Sequence, residues 1–153
     1  MLGRATYLPF RLMTLPGLGE GMTKPSKASV ARMIAGVFHN PAQSVTADLR
    51  AAFDRDQFKP GGAGAFLATL RRMTDLGGQR REGVVRSHHL IRQMRVPLFV
   101  HGRNARVIPV QQAIDAAALH PAARIEVLED CGHMAMIEQP ARLNALMAGF
   151  ILP

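Results

Sequence analysis

The sequence predicts an α/β protein in two parts: a helical segment over residues 1–95, then a strand–helix–strand–helix unit over residues 96–153. Before residue 95, apolar residues recur every three or four positions, which indicates amphipathic helices. After it, the short apolar run VPLFVHG is bounded by Pro97 and Gly102, as is typical of a strand. Two such strands around one helix favour a parallel βαβ unit with a covering helix.

The first part contains four predicted helices. Residues 1–25 are rich in proline and glycine and are expected to form loop and turns. The helices are predicted over 26–38 with Ser26 as N-cap, from Ser44 or Thr46 to near Phe58, from Gly61-Gly62 to Gly77-Gly78, and more weakly over 84–94.

The second part begins with a predicted strand at 97–100. A helix from Val110 to His120, a strand from Arg124 to Glu129, a short loop and a last helix from Pro140 follow. The strands at 97–100 and 124–128 are expected to be adjacent and parallel. Only one partner is evident for the first strand, so a hydrophobic sheet edge is expected to remain exposed.

The composition of the 153 residues is that of an ordinary globular domain, with 48% hydrophobic and 20% charged residues. One cysteine, Cys131, excludes an intramolecular disulfide. No apolar run reaches the length of a membrane span, and residues 1–10 are not typical of a secretory signal. These features predict a cytoplasmic protein that does not enter the membrane.

The net charge of +8 raises the question of nucleic-acid binding. Of the 19 cationic residues 16 are arginine, and they are scattered along the chain. Between Arg71 and Arg95 they are interrupted by acidic residues, and Phe66 is the only aromatic residue nearby, so stacking platforms for single strands are missing. The sequence therefore favours a solvated basic face over a nucleic-acid interface.

Several residues of the second part occur in an order and spacing that resembles the C-terminal end of α/β-hydrolase-fold enzymes. That family pattern is a strand, a Gly-x-x-Asp-x-x-x-Pro loop, a helix, a strand, then Gly-His with Glu-x-Pro a few residues on, and a final helix. The matching positions are Gly102, Pro109, Gly132, His133, Glu138 and Pro140.

The resemblance covers nearly the whole chain, because the helical first part resembles the cap that many of these enzymes insert over the active site. It implies the C-terminal part of an α/β-hydrolase fold: a helical cap, a two-strand parallel βαβ unit and a final helix. It also implies hydrolysis of esters, or of carbon–carbon bonds beside a carbonyl, in a small ester or ketone substrate. No cofactor and no metal site are expected.

His133 is the residue that the resemblance nominates as general base. An imidazole with a near-neutral pKa, on a glycine-preceded loop after a strand, suits that role on physical grounds as well. The alternative is a hydrogen-bonded loop histidine without a chemical function. The adjacent His88 and His89 would point about 100° apart on a helix and so do not suggest a metal site.

A histidine base needs a nucleophile, which in this family is the serine of a Gly-x-Ser-x-Gly turn upstream of the cap. The serines here have no such context; they are Ser26, Ser29, Ser44 and Ser87. Cys131 is the alternative nucleophile, although a buried cysteine that supports the loop is the simpler interpretation.

The carboxylate that would orient His133 is also missing from its expected position, where Ala105 stands. Asn104 carries no charge, and Glu129 and Asp130 are expected to turn away from the histidine. An acid after an earlier strand would lie outside this chain.

Two hypotheses remain. The first is a C-terminal fragment or truncated relative of a serine hydrolase, inactive as this chain alone. The second is a non-catalytic interaction module that binds a partner, or a second copy of itself, through the exposed sheet edge or the basic helical face.

Overall fold

The computed structural model describes residues 4–57 and 59–152. Its elements, in chain order, are α1 (Leu8–Leu12), α2 (Leu18–Met22), α3 (Lys27–Val37), α4 (Pro41–Ser44), α5 (Ala47–Gln57), α6 (Gly62–Met73), β1 (Thr74–Asp75), β2 (Gly78–Gln79), α7 (Arg81–Gln93), β3 (Leu98–Gly102), α8 (Val110–Ala117), β4 (Arg124–Leu128), α9 (Ala135–Glu138) and α10 (Pro140–Ile151). None of these helices is both long and apolar enough to cross a membrane.

The four helices predicted before residue 95 are present as α3, α5, α6 and α7. Ser26 caps α3 as predicted, because its hydroxyl oxygen accepts the N–H of Ser29 at 3.0 Å. Of the two candidate caps of α5, Thr46 accepts the N–H of Leu49 at 3.2 Å. The predicted end of α5 near Phe58 falls outside the described residues, and α7 begins earlier than predicted, at Arg81.

The prediction of loop and turns over residues 1–25 is wrong for α1 and α2. Pro9 lies in the first turn of α1, where the missing N–H of proline costs no helical hydrogen bond. Helix α2 begins after Gly17, whose φ of 78° suits glycine. The Gly17 N–H donates to the Glu20 carboxylate at 2.7 Å, which closes the first turn.

The third predicted helix ends earlier than expected, because Thr74 adopts an extended conformation after Met73. Thr74 and Asp75 instead pair with Gly78 and Gln79 as the antiparallel strands β1 and β2, which is the exception to the expectation of helices and loops before residue 95. Gly78, with a φ of 112°, makes this turn.

The N-terminal segment joins this hairpin to the second part of the chain. The Arg4 guanidinium binds both carboxylate oxygens of Asp75, at 2.8 and 2.7 Å. Three residues further on, the Tyr7 N–H donates to the carbonyl of Val107 at 3.2 Å. The hairpin is thereby anchored next to the segment that follows β3.

Strands β3 and β4 form a parallel pair in which Leu98 faces Arg124 and Gly102 faces Leu128, as predicted. Helix α8 connects them and packs on both. From Leu98 to His101, β3 is only half-buried, because β4 is its only partner in the described residues, in agreement with the expected sheet edge.

The hydrophobic core sits between α3, α5 and the segment that follows β4. Val30, Ile34 and Phe38 are buried along one side of α3. Met134 and Ile137, which follow β4, pack against this cluster. The apolar contacts therefore bring the end of α3 to the loop that contains His133.

Candidate functional site

His133 lies on the loop from Glu129 to Met134, between β4 and α9, which we call the His133 loop. The carboxyl end of a parallel strand is where catalytic groups of α/β proteins cluster. The His133 side chain is half-buried, and its backbone N–H donates to the carbonyl of Val37 at 2.8 Å. The loop is therefore seated on the carboxyl end of α3.

Gly132 permits this close seating. A β-carbon at residue 132 would lie 2.6 Å from the nitrogen of His39 and 2.8 Å from the oxygen of Val37. Both are backbone atoms, so a side chain could be accommodated only if the loop moved away from α3. The glycine before His133 is thus a requirement of packing.

Glu138 holds the same loop through its carboxylate. Its Oε1 accepts the N–H of Gly132 at 2.9 Å and that of Met134 at 3.2 Å. Its Oε2 accepts the N–H of His39 at 2.7 Å. One carboxylate therefore binds the backbone N–H groups of the residues before and after His133 and of His39.

The turn after β3, residues Gly102–Ala105, lies against the His133 loop. A β-carbon on Gly102 would overlap the carbonyl oxygens of Gly132 and Cys131, and the Asn104 N–H donates to the Cys131 carbonyl at 2.9 Å. Ala105, at the position expected for the acid, is only 8% exposed. Its methyl group cannot accept a hydrogen bond from an imidazole.

The two nearby carboxylates point to other partners, as the sequence suggested. Glu129 binds Arg103 through three hydrogen bonds of 2.7 to 2.9 Å, and this pairing lowers the pKa of Glu129. The Asp130 side chain is 92% exposed, with its Oδ1 3.9 Å from Nε2 of His39. Neither of these two residues supplies the missing acid in this arrangement.

Burial lowers the pKa of His133 below its ordinary value of 6.5, and the electrostatic interaction with the nearby ring of His101 lowers it further. The Glu138 carboxylate opposes both effects. The imidazole is therefore neutral at neutral pH, which is the protonation state that a general base requires. His101, whose Nε2 lies 2.9 Å from the carbonyl oxygen of Ile108, is a neighbour that the sequence did not reveal.

Cys131 does not have the surroundings of a nucleophile. It is completely buried, and burial together with the Glu138 charge raises the pKa of its thiol to about 11. At neutral pH the protonated thiol is a weak nucleophile. Its place between β4 and His133 is that of a small residue filling the loop interior.

The serines lie in helices or at their ends. Ser26 and Ser29 bind each other's backbone N–H at 3.0 Å and form a capping box at the start of α3. Ser44 ends α4, and Ser87 lies within α7. None of them lies on a strand-to-helix turn.

A separate cavity of about 540 Å³ lies among the helices and the β1–β2 turn, lined in part by Thr14, Arg71, Asp75 and Arg80. Two of its charged groups form ion pairs, Arg71 with Glu20 and Asp75 with Arg4, and Nε of Arg80 donates to the Arg71 carbonyl at 3.0 Å. No group of three or more metal-binding side chains converges in residues 4–57 and 59–152.

A family model described as the alpha/beta hydrolase family matches residues 4–146, which is most of the chain. The chain belongs to the alpha/beta hydrolase family. This agrees with the partial α/β-hydrolase fold of its strands and helices.

Within this family, the chain resembles a 2-hydroxymuconate semialdehyde hydrolase of Pseudomonas putida, with 37% identity over 54 residues. That match covers 35% of this chain and 19% of the relative. An enzyme of the same name from Pseudomonas sp. strain CF600 is 35% identical over the same length, with the same coverage of both chains. Both relatives are hydrolases.

Among solved structures, the 2-hydroxy-6-oxo-6-phenylhexa-2,4-dienoate hydrolase of Rhodococcus sp. strain RHA1 superposes with a TM-score of 0.75 and 16% identity, over 99% of this chain and 51% of the other. A meta-cleavage product hydrolase from Pseudomonas fluorescens IP01 superposes with a TM-score of 0.67 and 22% identity. The superposition covers 98% of this chain and 54% of the other. These likenesses establish the fold. This hydrolase-family chain spans about half the length of both structures.

Proposed function

We propose that His133 is the general base of a serine hydrolase, and that this chain provides the base without the nucleophile. The observation that carries the proposal is the seating of His133: a half-buried, neutral imidazole after β4, on a loop fixed to α3 and to the turn after β3. A fixed, neutral imidazole is what abstraction of a serine proton requires.

The nucleophile must come from a separate polypeptide segment. The 153 residues contain no Gly-x-Ser-x-Gly turn, and Cys131 is buried and protonated. In this proposal residues 1–95 act as the helical cap and residues 96–153 as the C-terminal part of the core. The chain alone is then inactive as a hydrolase, and a cytoplasmic location fits this role.

The substrate class in this proposal is a small ester, or a ketone whose carbon–carbon bond is cleaved beside the carbonyl. The names of the relatives support the second reaction, because these enzymes are named as hydrolases of a semialdehyde or of an oxo-dienoate. The polar chemistry needed is proton transfer and oxyanion stabilisation, for which no cofactor is required.

Two observations favour the alternative, an interaction module. Ala105 removes the acid, and β3 and β4 form a pair whose residues are mostly half-buried. Such a sheet edge is able to pair with another chain or with a second copy. Nucleic acid is a poor candidate partner, since the arginines are scattered.

The experiment compares this chain alone with a complemented pair, in which the nucleophile-bearing half of a related hydrolase is co-expressed with it. We expect no ester hydrolysis by the chain alone and measurable turnover by the pair. His133→Ala should lower turnover of the pair by at least about 100-fold, the lower range for general base catalysis. His89→Ala, an exposed histidine on α7, is the control.

Turnover by the unmodified chain alone that disappears in His133→Ala would reveal a nucleophile within these residues. A pair that hydrolyses esters equally well with and without His133 would refute its role as base.

A further inference from the structure

We infer that Glu138 is the positioning residue of His133. It positions the imidazole by binding the backbone of the His133 loop and of the residue that follows α3. The inference rests on the proposed role of His133 as base. It assigns Glu138 a function through His133 and requires no contact with substrate.

The first support is the number and placement of the donors that Glu138 binds. Gly132 and Met134 flank His133 on both sides, and both donate their N–H to the same oxygen, Oε1. A charged acceptor binds backbone donors more strongly than a neutral one does. The backbone around His133 is therefore fixed by one carboxylate on the next helix.

The second support is that the fastening runs in both directions. The His133 N–H of the loop donates to the Val37 carbonyl, and the His39 N–H, which follows α3, donates to Oε2 of Glu138. A two-way connection resists rotation of the loop better than a single hydrogen bond, because each bond restricts the geometry of the other. Met134 and Ile137 add apolar contacts to α3 on the same side.

The third support is electrostatic. Glu138 carries its charge next to an imidazole whose pKa is lowered by burial and by His101, and the carboxylate counteracts that lowering. The other titratable groups around the loop are Cys131, which stays neutral, the pair of Glu129 and Arg103, Arg142, and the exposed pair of His39 and Asp130. Loss of the Glu138 charge should therefore lower the pKa of His133.

A consequence for the fold is that α3 and the base behave as one unit. A displacement of α3 would carry His133 with it, because the bonds at Val37 and His39 connect them directly. The helical segment is then a support of the site as well as a cover for it.

The experiment uses Glu138→Gln, which preserves shape and removes charge, with Glu129→Gln as the matched control on the other end of the loop. The His133 pKa is measured by NMR titration of its imidazole, and hydrogen exchange is measured at the amides of Gly132, Met134 and His39. In Glu138→Gln we expect a lower His133 pKa and at least about tenfold faster exchange at one or more of these amides, since the amide side chain has one acceptor oxygen only. Both readouts should stay unchanged in Glu129→Gln.

In the complemented pair, Glu138→Gln should lower kcat at least about tenfold and leave KM nearly unchanged, because Glu138 acts through the base and not through substrate binding. An unchanged His133 pKa and unchanged exchange in Glu138→Gln would overturn the inference. If the pair is inactive with either sequence, the proposed function fails, and the NMR and exchange measurements still decide the role of Glu138.

Discussion

Gly102 and Gly132 meet where the ends of two neighbouring parallel strands converge, so closely that a β-carbon on Gly102 would overlap the carbonyl oxygen of Gly132. It would also lie 2.7 Å from the carbonyl carbon of Cys131. This contact brings the turn that carries Ala105 to the loop that carries His133. Both positions require glycine because there is no room for a side chain. Backbone conformation is not the reason, since neither residue has a positive φ.

Gly102→Ala should therefore destabilise the protein, by about 2 kcal/mol or more, because backbone atoms must move to admit the methyl group. Gly149→Ala is the matched control: Gly149 lies within α10 and has nothing within 4 Å of a β-carbon. That control should raise the free energy of unfolding by about 0.5–1 kcal/mol. Urea unfolding of both variants measures the difference, and equal effects would contradict the packing argument.

Ala105→Asp should raise turnover of the complemented pair. Ala105 is buried in the turn that contacts the His133 loop, at the position where the sequence resemblance to the family implies the acid. Loss of the acid from a triad costs on the order of 10⁴ in rate, and part of this loss should be recovered. Asn104→Asp, on the exposed neighbour, is the control. If Ala105→Asp folds and turnover does not rise, the acid comes from another segment.

Cys131 should resist thiol reagents in the folded protein. With a thiol pKa of about 11 instead of the ordinary 9.0, the thiolate fraction near pH 8 falls by about a hundredfold, and burial blocks access as well. We expect slow reaction with a disulfide reagent at pH 8 and rapid reaction in denaturant. Fast labelling of the native chain would show that the His133 loop opens readily.

The ion pair between Glu20 and Arg71 should make stability depend on acid pH. Hydrogen bonding to Arg71 lowers the pKa of Glu20 from 4.5 to about 2. The folded pKa is lowered, so the contribution to stability is present above pH 4.5 and is lost as the pH falls toward 2. Thermal unfolding of Glu20→Gln should therefore differ from that of the original chain at pH 7 and converge with it near pH 2. In an Arg71→Gln background this difference should become smaller, because only the hydrogen bonds of the Glu20 carboxylate to backbone N–H groups, such as that of Gly17, then remain.

Apart from the short helix α9, which was not predicted, the order of strands and helices after residue 95 was predictable from the sequence, because Pro97, Gly102 and Pro140 mark the ends of its elements. The capping of α3 by Ser26 was predictable for the same reason, since the signal is local. The two short helices before residue 25 were not, because proline and glycine at helix starts resemble loop residues until the hydrogen bonds of Gly17 and Glu20 are known.

The candidate site was predictable only in part. The motif indicated His133 as the base and showed that Ala105 stands where the orienting acid is expected. The contacts of Glu138 with Gly132 and His39 depend on how α3 packs against the chain end, at a sequence separation of 99 residues for His39. A carboxylate shortly after a Gly-His pair was the available signal, but it does not reveal which backbone donors it binds.

The most direct test of His133 as base is the rate at which a sulfonyl fluoride labels the serine of the complemented pair, measured against pH. Labelling should increase with pH through the pKa of His133, which burial lowers from its ordinary value. His133→Ala should abolish this dependence and slow labelling at least about 100-fold, whereas His89→Ala should change neither. Labelling that is equally fast, with the same pH profile, in His133→Ala would contradict the account.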